Sequence, residues 1–288
     1  MAVLQGVFAN DLRDFVDLNL ARRLELAETL SPEQVAGLKR FNPEAAWECI
    51  AGGTAVFGGT KYPANHIVGM GLYGAVTRAD LDRVEEFYRS RGVPCEIVVS
   101  PLADRSLLEA LGTRNYRLSQ FNSVLIQSLH RVESIQPADN ISIERVTAAT
   151  AAVWNRVVAQ GFAEFGPLPE NTFLPFATLA GSLNFLARVD GIPAGGGMGA
   201  IVPEAGIAAL FGTSTLSEFR SRGVQTALIN RRLWEAAQQG AEYAVVSTLP
   251  GSGSQRNMER RGFRVAYTKV VMVGTWPELS HAGADDGH

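Results

Sequence analysis

The sequence predicts a mixed α/β protein of two tandem domains, each a mixed, mostly antiparallel, twisted sheet flanked by helices. Two stretches, 95–126 and 242–273, align without a gap and both follow the order strand, short helix, strand. The alignment places Ser100 on Ser247 and Arg114 on Arg261. An amphipathic helix that ends at a glycine precedes each stretch. With 288 residues, the chain is long enough for two cores of ordinary domain size.

The paired elements follow from hydrophobic periodicity. Alternating apolar residues predict strands at 96–100 and 118–126 in the first unit, and at 243–247 and 265–273 in the second. Helical spacing marks the apolar faces of the two preceding helices, which are Leu81, Val84 and Tyr88 in the first unit and Ile229, Leu233, Ala236 and Ala237 in the second. Arg231 and Arg232 are expected on a solvated helix face.

The second unit also shows a clear order of elements upstream. Helical signals cover 148–165, and the stretch GPLPENTFLPF then forms a turn-rich connection. The runs SLNFLARVD, AGGGMGAIV and IAALFGTSTL are separated only by short turns, so they predict an antiparallel meander.

The predicted domain limits follow from where these patterns stop. The first domain covers 1–130, the polar and proline-containing stretch 131–140 is a linker, and the second domain covers 141–278. The tail 279–288 is polar and glycine-rich, so it is expected to be disordered.

Composition limits the classes of function. Hydrophobic residues make up 46% and charged residues 19% of the chain, and the net charge is −3, which argues against a general nucleic-acid binder. Neither a membrane span nor a secretory leader is recognisable. Cys49 and Cys95 lack metal-ligand spacing and are expected to be buried, reduced thiols, while the histidines also lack such spacing. A cytoplasmic protein without metal is therefore expected, and its oligomeric state stays open.

The stretch FRSRGVQTAL raises the question of function. It leads from a predicted strand into a helix whose first turn has no acidic residue. Helix N-termini expose unpaired N–H groups and carry about half a positive charge, so they bind anions. Gly223 permits a tight turn and a close ligand approach, and Arg220 and Arg222 add positive charge. This arrangement fits a pyrophosphate.

The same stretch resembles the acyl-CoA pyrophosphate loop of the GNAT (GCN5-related N-acetyltransferase) superfamily, whose pattern is R/Q-x-x-G-x-G/A between the fourth strand and a long helix. The pattern falls on Arg220, Ser221, Arg222, Gly223, Val224 and Gln225. Gln225 departs from the small final residue, and Thr226 beside it can contact phosphate. ERRGFRV resembles the last helix-to-strand turn of the family. The resemblance covers 141–273, with a degenerate version over 8–126.

The resemblance implies that acetyl-CoA binds in a V-shaped gap between GIAALFGTSTL and EYAVVST. Thr213, Ser214 and Thr215 would line the acetyl and pantetheine path, and the amides of 222–226 would bind the pyrophosphate. The implied function is an acyl-CoA-dependent N-acetyltransferase in which an amine, expected to be small, attacks the thioester directly. A non-catalytic acyl-CoA-binding or regulatory module is the alternative.

The acid and base of such a reaction are less evident. Many relatives have a tyrosine that protonates the departing thiolate, but Met258 occupies that position. Ser252, Ser254 or an ordered water can replace it, or the thiolate can leave unprotonated. Carboxylates near the expected acceptor side are Glu164, Glu170 and Glu204, of which Glu164 is preferred as base.

The first unit contains a motif with the glycine spacing of a dinucleotide-binding fingerprint. Gly69, Gly71 and Gly74 have G-x-G-x-x-G spacing between a strand and a helix. However, Thr77 and Asp80 have capping-box spacing, so the helix is expected to begin only there, with the glycines inside the strand.

The helix in the first unit also lacks the phosphate loop. Acidic Asp80 and Asp82 lie in its first turn, where they compete for the amides that a phosphate needs. We therefore expect that the first unit binds no CoA and serves as a scaffold or as one wall of the acceptor pocket.

Overall fold

A computed structural model of the protein describes residues 16–60, 62, 64–162, 171–177, 179 and 181–274. The helices of this part of the chain are α1 (Leu18–Ala27), α2 (Pro32–Leu38), α3 (Arg78–Arg89), α4 (Arg105–Gly112), α5 (Ala151–Phe162), α6 (Val224–Gln238) and α7 (Gly253–Glu259). The strands of the first half are β1 (Ala46–Ile50), β2 (Gly53–Phe57), β3 (Ile67–Val68), β4 (Cys95–Val99) and β5 (Tyr116–Ser128). Those of the second half are β6 (Ile141–Arg145), β7 (Phe185–Val189), β8 (Ile192–Val202), β9 (Ile207–Thr215), β10 (Tyr243–Thr248) and β11 (Arg264–Gly274).

All eleven of these strands form one sheet, in the order β1-β2-β3-β4-β11-β5-β10-β9-β8-β7-β6. The pairs β3/β4 and β9/β10 are parallel, and the other neighbours are antiparallel. The predicted α/β class and the mostly antiparallel sheet are therefore confirmed. The meander β7-β8-β9 also forms as the sequence predicts.

The two halves exchange their last strands. β5 of the first half pairs with β10 of the second, whereas β11 of the second half pairs with β4 of the first. β5 and β11 pair with each other at the centre of the sheet. The sheet is therefore continuous across the junction of the two halves.

The central pairing has approximate twofold symmetry. Asn122 pairs with Lys269, and the flanking pairs are Gln120 with Val271 and Val124 with Tyr267. The sequence alignment places Asn122 on Lys269, so a twofold rotation about this pair exchanges equivalent positions of the two strands. The internal duplication read from the sequence thus appears as a symmetric strand pair.

Helices from both halves of the chain cover the two faces of the sheet in the second half. Along β9, Ala208 and Leu210 belong to the apolar core under α6, while Ile207 and Ala209 contact the core that α1 helps to form. Side chains alternate between the two faces of a strand. Consequently α1, from the first half of the chain, packs on the face of β9 opposite α6.

Two expectations for the first half are wrong. Gly69, Gly71 and Gly74 have φ values of 82°, 80° and 138° and lie in a turn, because β3 ends at Val68. Cys95 is buried, but Cys49 is exposed because it lies on the edge strand β1. The predicted capping box of Thr77 and Asp80 at the start of α3 is confirmed. Within the part of the chain described above, no helix is long and apolar enough to cross a bilayer.

Candidate functional site

The site begins where β9 and β10 separate. Their parallel ladder ends at the pair of Ala209 with Val245. β9 then continues to Thr215 against β8, and β10 continues to Thr248 against β5. The two strands therefore open a gap at their carboxyl ends, as the V-shaped gap of the sequence analysis requires.

A bulge shapes the β9 side of this gap. The register with β8 shifts between Gly196 and Met198, opposite Gly212, whose φ is 50°. The Oγ1 of Thr213 accepts a hydrogen bond of 2.7 Å from the Arg232 guanidinium, and the hydroxyl of Ser214 donates to the Val158 carbonyl over 3.2 Å. These two side chains therefore hold the bulge in place, while the buried Oγ1 of Thr215 has no hydrogen-bond partner among the described residues.

Arg232 is buried, contrary to the expectation of a solvated face. It is 1% exposed, and it donates to the carbonyls of Met198 and Leu228 as well as to Thr213. Burial lowers the pKa of its guanidinium to about 9, so it stays charged at neutral pH. The sequence does not distinguish Arg232 from the adjacent Arg231. The Arg231 side chain is 42% exposed and pairs with Glu235.

The N-terminus of α6 faces the gap and lacks a cap. Gly223 occupies the N-cap position at φ 87°, no side chain of the described residues caps the helix, and its first turn has no acidic residue. Ser221 also has a positive φ of 62°. Since the first N–H groups of a helix have no intrahelical partner, this loop presents amide donors and a positive dipole end.

The side chains of the loop take three different positions. Nε of Arg220 lies 3.4 Å from the Thr215 carbonyl. The Arg222 guanidinium lies over the Phe219 ring at 5.5 Å. The side chain of Gln225 accepts a hydrogen bond of 3.0 Å from Asn257 on α7, which holds it away from the bare turn. Gln225 replaces the small residue of the loop pattern, and its side chain is held by α7.

These residues surround one open cavity of about 660 Å³. Its lining brings together nearly all the predicted binding positions: Thr213, Ser214, Thr215, Arg220, Ser221, Gly223, Val224, Gln225 and Thr226. Of the predicted set, only Arg222 does not line it.

The catalytic candidates are distributed unevenly around this cavity. Ser254, Ser247 and Met258 line it, whereas Ser252 accepts a hydrogen bond from the Gln255 amide as the N-cap of α7. Glu204 is exposed on a turn outside the lining. Glu164 and Glu170 lie outside the described residues, so Glu164 stays a prediction.

Comparison with protein families now identifies this half of the molecule. Residues 151–263 match the model of the acetyltransferase (GNAT) family. Residues 151–263 form a GNAT domain. This segment runs from α5 to the start of β11 and includes the whole cavity.

Solved structures share the fold over most of the chain. A GCN5-related N-acetyltransferase from Kribbella flavida has a TM-score of 0.64 at 17% identity, covering 91% of this chain and 98% of its own. A tandem GNAT protein from the clavulanic acid biosynthesis pathway has a TM-score of 0.58 at 15% identity, covering 92% and 95%. No curated protein matches the sequence. The fold of the GNAT domain and its N-terminal partner is thus that of a tandem GNAT protein.

Sequence reasoning missed a buried ion cluster beside the GNAT domain. Lys269 on β11 is 2% exposed and donates to Glu28 at 2.6 Å and to Glu25 at 3.2 Å, both from α1. Tyr267 donates to Glu25 at 2.7 Å, and Ser247 on β10 donates to Glu28 at 2.6 Å. The available signals were a lysine within an apolar strand and two glutamates three residues apart on α1.

The cluster has a definite electrostatic balance. Burial raises the pKa of Glu25, against the opposing effect of Lys269. Burial alone would lower the pKa of Lys269, but the two carboxylates outweigh it and raise that pKa. Lys269 therefore stays an ammonium, whereas burial favours the neutral form of Glu25.

A second cavity, of about 260 Å³, lies beside this cluster between the two halves. Glu28 and His66 from the first half and Met198, Phe211 and Val246 from the GNAT domain line it. Phe211 also lines the larger cavity. Burial, with the charge of Lys269, lowers the pKa of His66 to about 4, so its imidazole is neutral at neutral pH.

Proposed function

We propose that the protein is an acyl-CoA-dependent N-acetyltransferase that moves an acetyl group from acetyl-CoA to a small amine. The observation that carries this proposal is the single cavity that joins the uncapped N-terminus of α6 to the gap between β9 and β10. The N-terminus of α6 can bind the pyrophosphate of the donor, and the unpaired backbone groups of β9 can pair with its amide-containing pantetheine arm.

Each part of the donor has a matching surface. The loop amides 222–226 bind the pyrophosphate, helped by the positive charge of Arg220 and Arg222. The backbone of 213–215 pairs with the pantetheine, and the unpartnered Oγ1 of Thr215 supplies a polar contact there. Hydrogen bonds to charged groups contribute roughly 1.5–3 kcal/mol each, so a few of them give micromolar affinity.

The reaction needs no covalent intermediate on the protein. The amine nitrogen attacks the thioester carbonyl, the C–N bond forms, and the C–S bond breaks to release CoA. A β9 amide at the bulge stabilises the developing oxyanion. Ser254 is the candidate that relays a proton from the attacking nitrogen to the departing thiolate, since Met258 has no proton to give; a thiol of pKa about 8.5 can also depart as the thiolate.

In this proposal the first half of the chain does not bind acetyl-CoA and has a structural role. Its helix α3 is capped by its own Thr77 and Asp80, so the position that binds pyrophosphate in the second half is occupied by a carboxylate in the first. Its α1 and the segment around His66 instead form one wall of the smaller cavity. We therefore expect one acetyl-CoA per chain.

Calorimetric titration with acetyl-CoA tests the donor site. Gly223→Asp places a carboxylate on the loop amides, so acetyl-CoA affinity should fall about 30-fold or more, the effect of losing one charged hydrogen bond and adding repulsion. Gly240→Asp is the matched control, because Gly240 has φ 85° at the other end of α6, so the conformational strain is comparable.

The outcomes separate the two functions. One site per chain in the wild type, kept in Gly240→Asp and lost in Gly223→Asp, supports the donor site. Release of CoA thiol with added amines then favours the enzyme over a non-catalytic acyl-CoA-binding module. Binding without thiol release from any amine favours the module, and no binding to the wild type rejects both.

A further inference from the structure

The cavity between the halves has the composition of a site for a compact, apolar amine. Its walls include the aromatic side chains of Tyr62, Phe173, Phe176 and Phe211, and the rings of Tyr62 and Phe176 stack at 5.8 Å. A volume of about 260 Å³ admits a molecule with one ring and a short chain, and the mostly apolar walls disfavour a polyamine that carries several ammonium groups. A protein tail would need a longer groove.

One carboxylate, Glu28, lies among the described residues that line this cavity. The Glu28 side chain is 17% exposed. Its Oε1 accepts a hydrogen bond from Ser247, which lines the donor cavity, and Oε2 accepts one from Lys269. The Glu28–Ser247 bond therefore bridges the two cavities at the place where β9 and β10 separate.

Helix stability does not explain this carboxylate. Glu28 is the C-cap residue of α1, where the helix dipole is negative and a carboxylate is unfavourable. It also places a second carboxyl group beside Glu25, against only one lysine. A substrate ammonium in the cavity would pair with the Glu28 carboxylate.

We propose that this cavity binds the acceptor, a small primary amine with an apolar or aromatic body, and that Glu28 removes the proton that the ammonium must lose before attack. The inference rests on the proposed acetyltransferase function. The donor then approaches from the α6 face and the acceptor from the α1 face, and they meet in the gap.

The proton balance is simple. The ammonium transfers one proton to the Glu28 carboxylate, and the neutral nitrogen attacks the thioester carbonyl carbon. The C–N bond forms, the C–S bond breaks, and the second proton of the nitrogen passes to the thiolate sulfur. Amide and CoA are the products, and Glu28 returns its proton to solvent. The titratable and polar groups that surround Glu28 are Lys269 and Tyr267 on β11, Ser247 on β10, Glu25 on α1 and the neutral His66.

The first experiment measures acceptor binding without turnover. Calorimetric titrations of 2-phenylethylamine, spermidine and a hexapeptide with a free N-terminus are made into the full chain saturated with CoA. We expect 2-phenylethylamine to bind at least tenfold more tightly than the other two. Leu30→Trp fills the cavity from the loop between α1 and α2, so it should abolish this binding and leave acetyl-CoA affinity unchanged.

The second experiment tests Glu28. Glu28→Gln keeps hydrogen-bond acceptance toward Lys269 but removes the base, so kcat/KM with 2-phenylethylamine should fall 10²- to 10⁴-fold at pH 7. The loss should shrink as pH rises, because more of the amine is already unprotonated. Glu44→Gln, on an exposed residue outside the cavity, is the control and should behave as wild type.

Failure of this inference is distinguishable from failure of the proposed function. If wild type binds acetyl-CoA but Leu30→Trp binds 2-phenylethylamine as wild type does, the cavity is not the acceptor site. Turnover by Glu28→Gln within threefold of wild type would remove Glu28 as base, and tighter binding of spermidine or peptide would overturn the substrate class. Absence of acetyl-CoA binding rejects the proposed function itself, and the inference with it.

Discussion

The lowered pKa of His66 makes the free energy of unfolding of the chain depend on pH. The His66 pKa falls from an ordinary value of 6.5 to about 4, because burial and the charge of Lys269 disfavour the imidazolium. The unfolded chain therefore binds a proton at a higher pH than the folded chain does. Between about pH 6.5 and 4, acidification protonates the unfolded state first, so the free energy of unfolding decreases as pH falls.

A substitution isolates this contribution. Wild type should lose about 2–3 kcal/mol more of its free energy of unfolding between pH 7 and pH 4 than His66→Gln, since one pKa unit corresponds to about 1.4 kcal/mol. Urea unfolding at a series of pH values measures it. His130→Gln, on an exposed histidine, is the matched control. Parallel curves for wild type and His66→Gln would mean that His66 is not buried as an imidazole.

The starts of two equivalent helices show how local sequence decides whether a site forms. α3 begins with Thr77 and Asp80, which occupy the amides of its own first turn. α6 begins at Gly223 in a left-handed conformation and leaves those amides open toward the gap. Both properties were readable from the sequence, because capping depends on residues only three positions apart. The same holds for the meander and the paired strands, which depend on local periodicity.

The β9 bulge is held by a residue that the sequence did not reveal. The buried Arg232 donates to carbonyls on β8 and α6 and to Thr213, and among the described residues no carboxylate pairs with it. A guanidinium can satisfy several acceptors in fixed directions, so it fixes the backbone where the acetyl group is proposed to lie. Periodicity alone could not distinguish it from the adjacent Arg231.

Substitution of these neighbouring arginines tests the assignment. Arg232→Met should lower the free energy of unfolding by about 2–4 kcal/mol, because several buried acceptors lose their donor. It should also weaken acetyl-CoA binding, as the bulge relaxes. Arg231→Met removes a half-exposed ion pair with Glu235 and the contacts of the guanidinium with the Phe185 and Trp234 rings, and a loss of about 1 kcal/mol is expected. Urea unfolding and acetyl-CoA titration measure both, and equal losses in the two variants would contradict a bulge-holding role.

At the scale of the molecule, the sequence predicted the repeat but not how its parts combine. β5 and β11 have similar patterns, so local reasoning gave each to its own half, and the predicted limits 1–130 and 141–278 treat the halves as separate. Strand partners depend on contacts between distant residues, and no periodicity records them. For the same reason the cluster of Lys269 with Glu25, 244 positions apart, and the cavity beside it were not foreseen.

The exchange of β5 and β11 predicts that neither half is stable alone. Without the first half, β10 loses its partner β5 and β11 loses both β4 and β5; unpaired edges of this kind lead to association. Lys269 would also lose both glutamates, and breaking a buried pair costs about 3–5 kcal/mol. We expect 1–135 and 136–288, expressed separately, to aggregate or self-associate, and to form a 1:1 complex that binds acetyl-CoA when co-expressed. Size-exclusion chromatography with light scattering measures this, and two stable, monomeric halves that do not associate would show that the exchanged strands are dispensable for the fold.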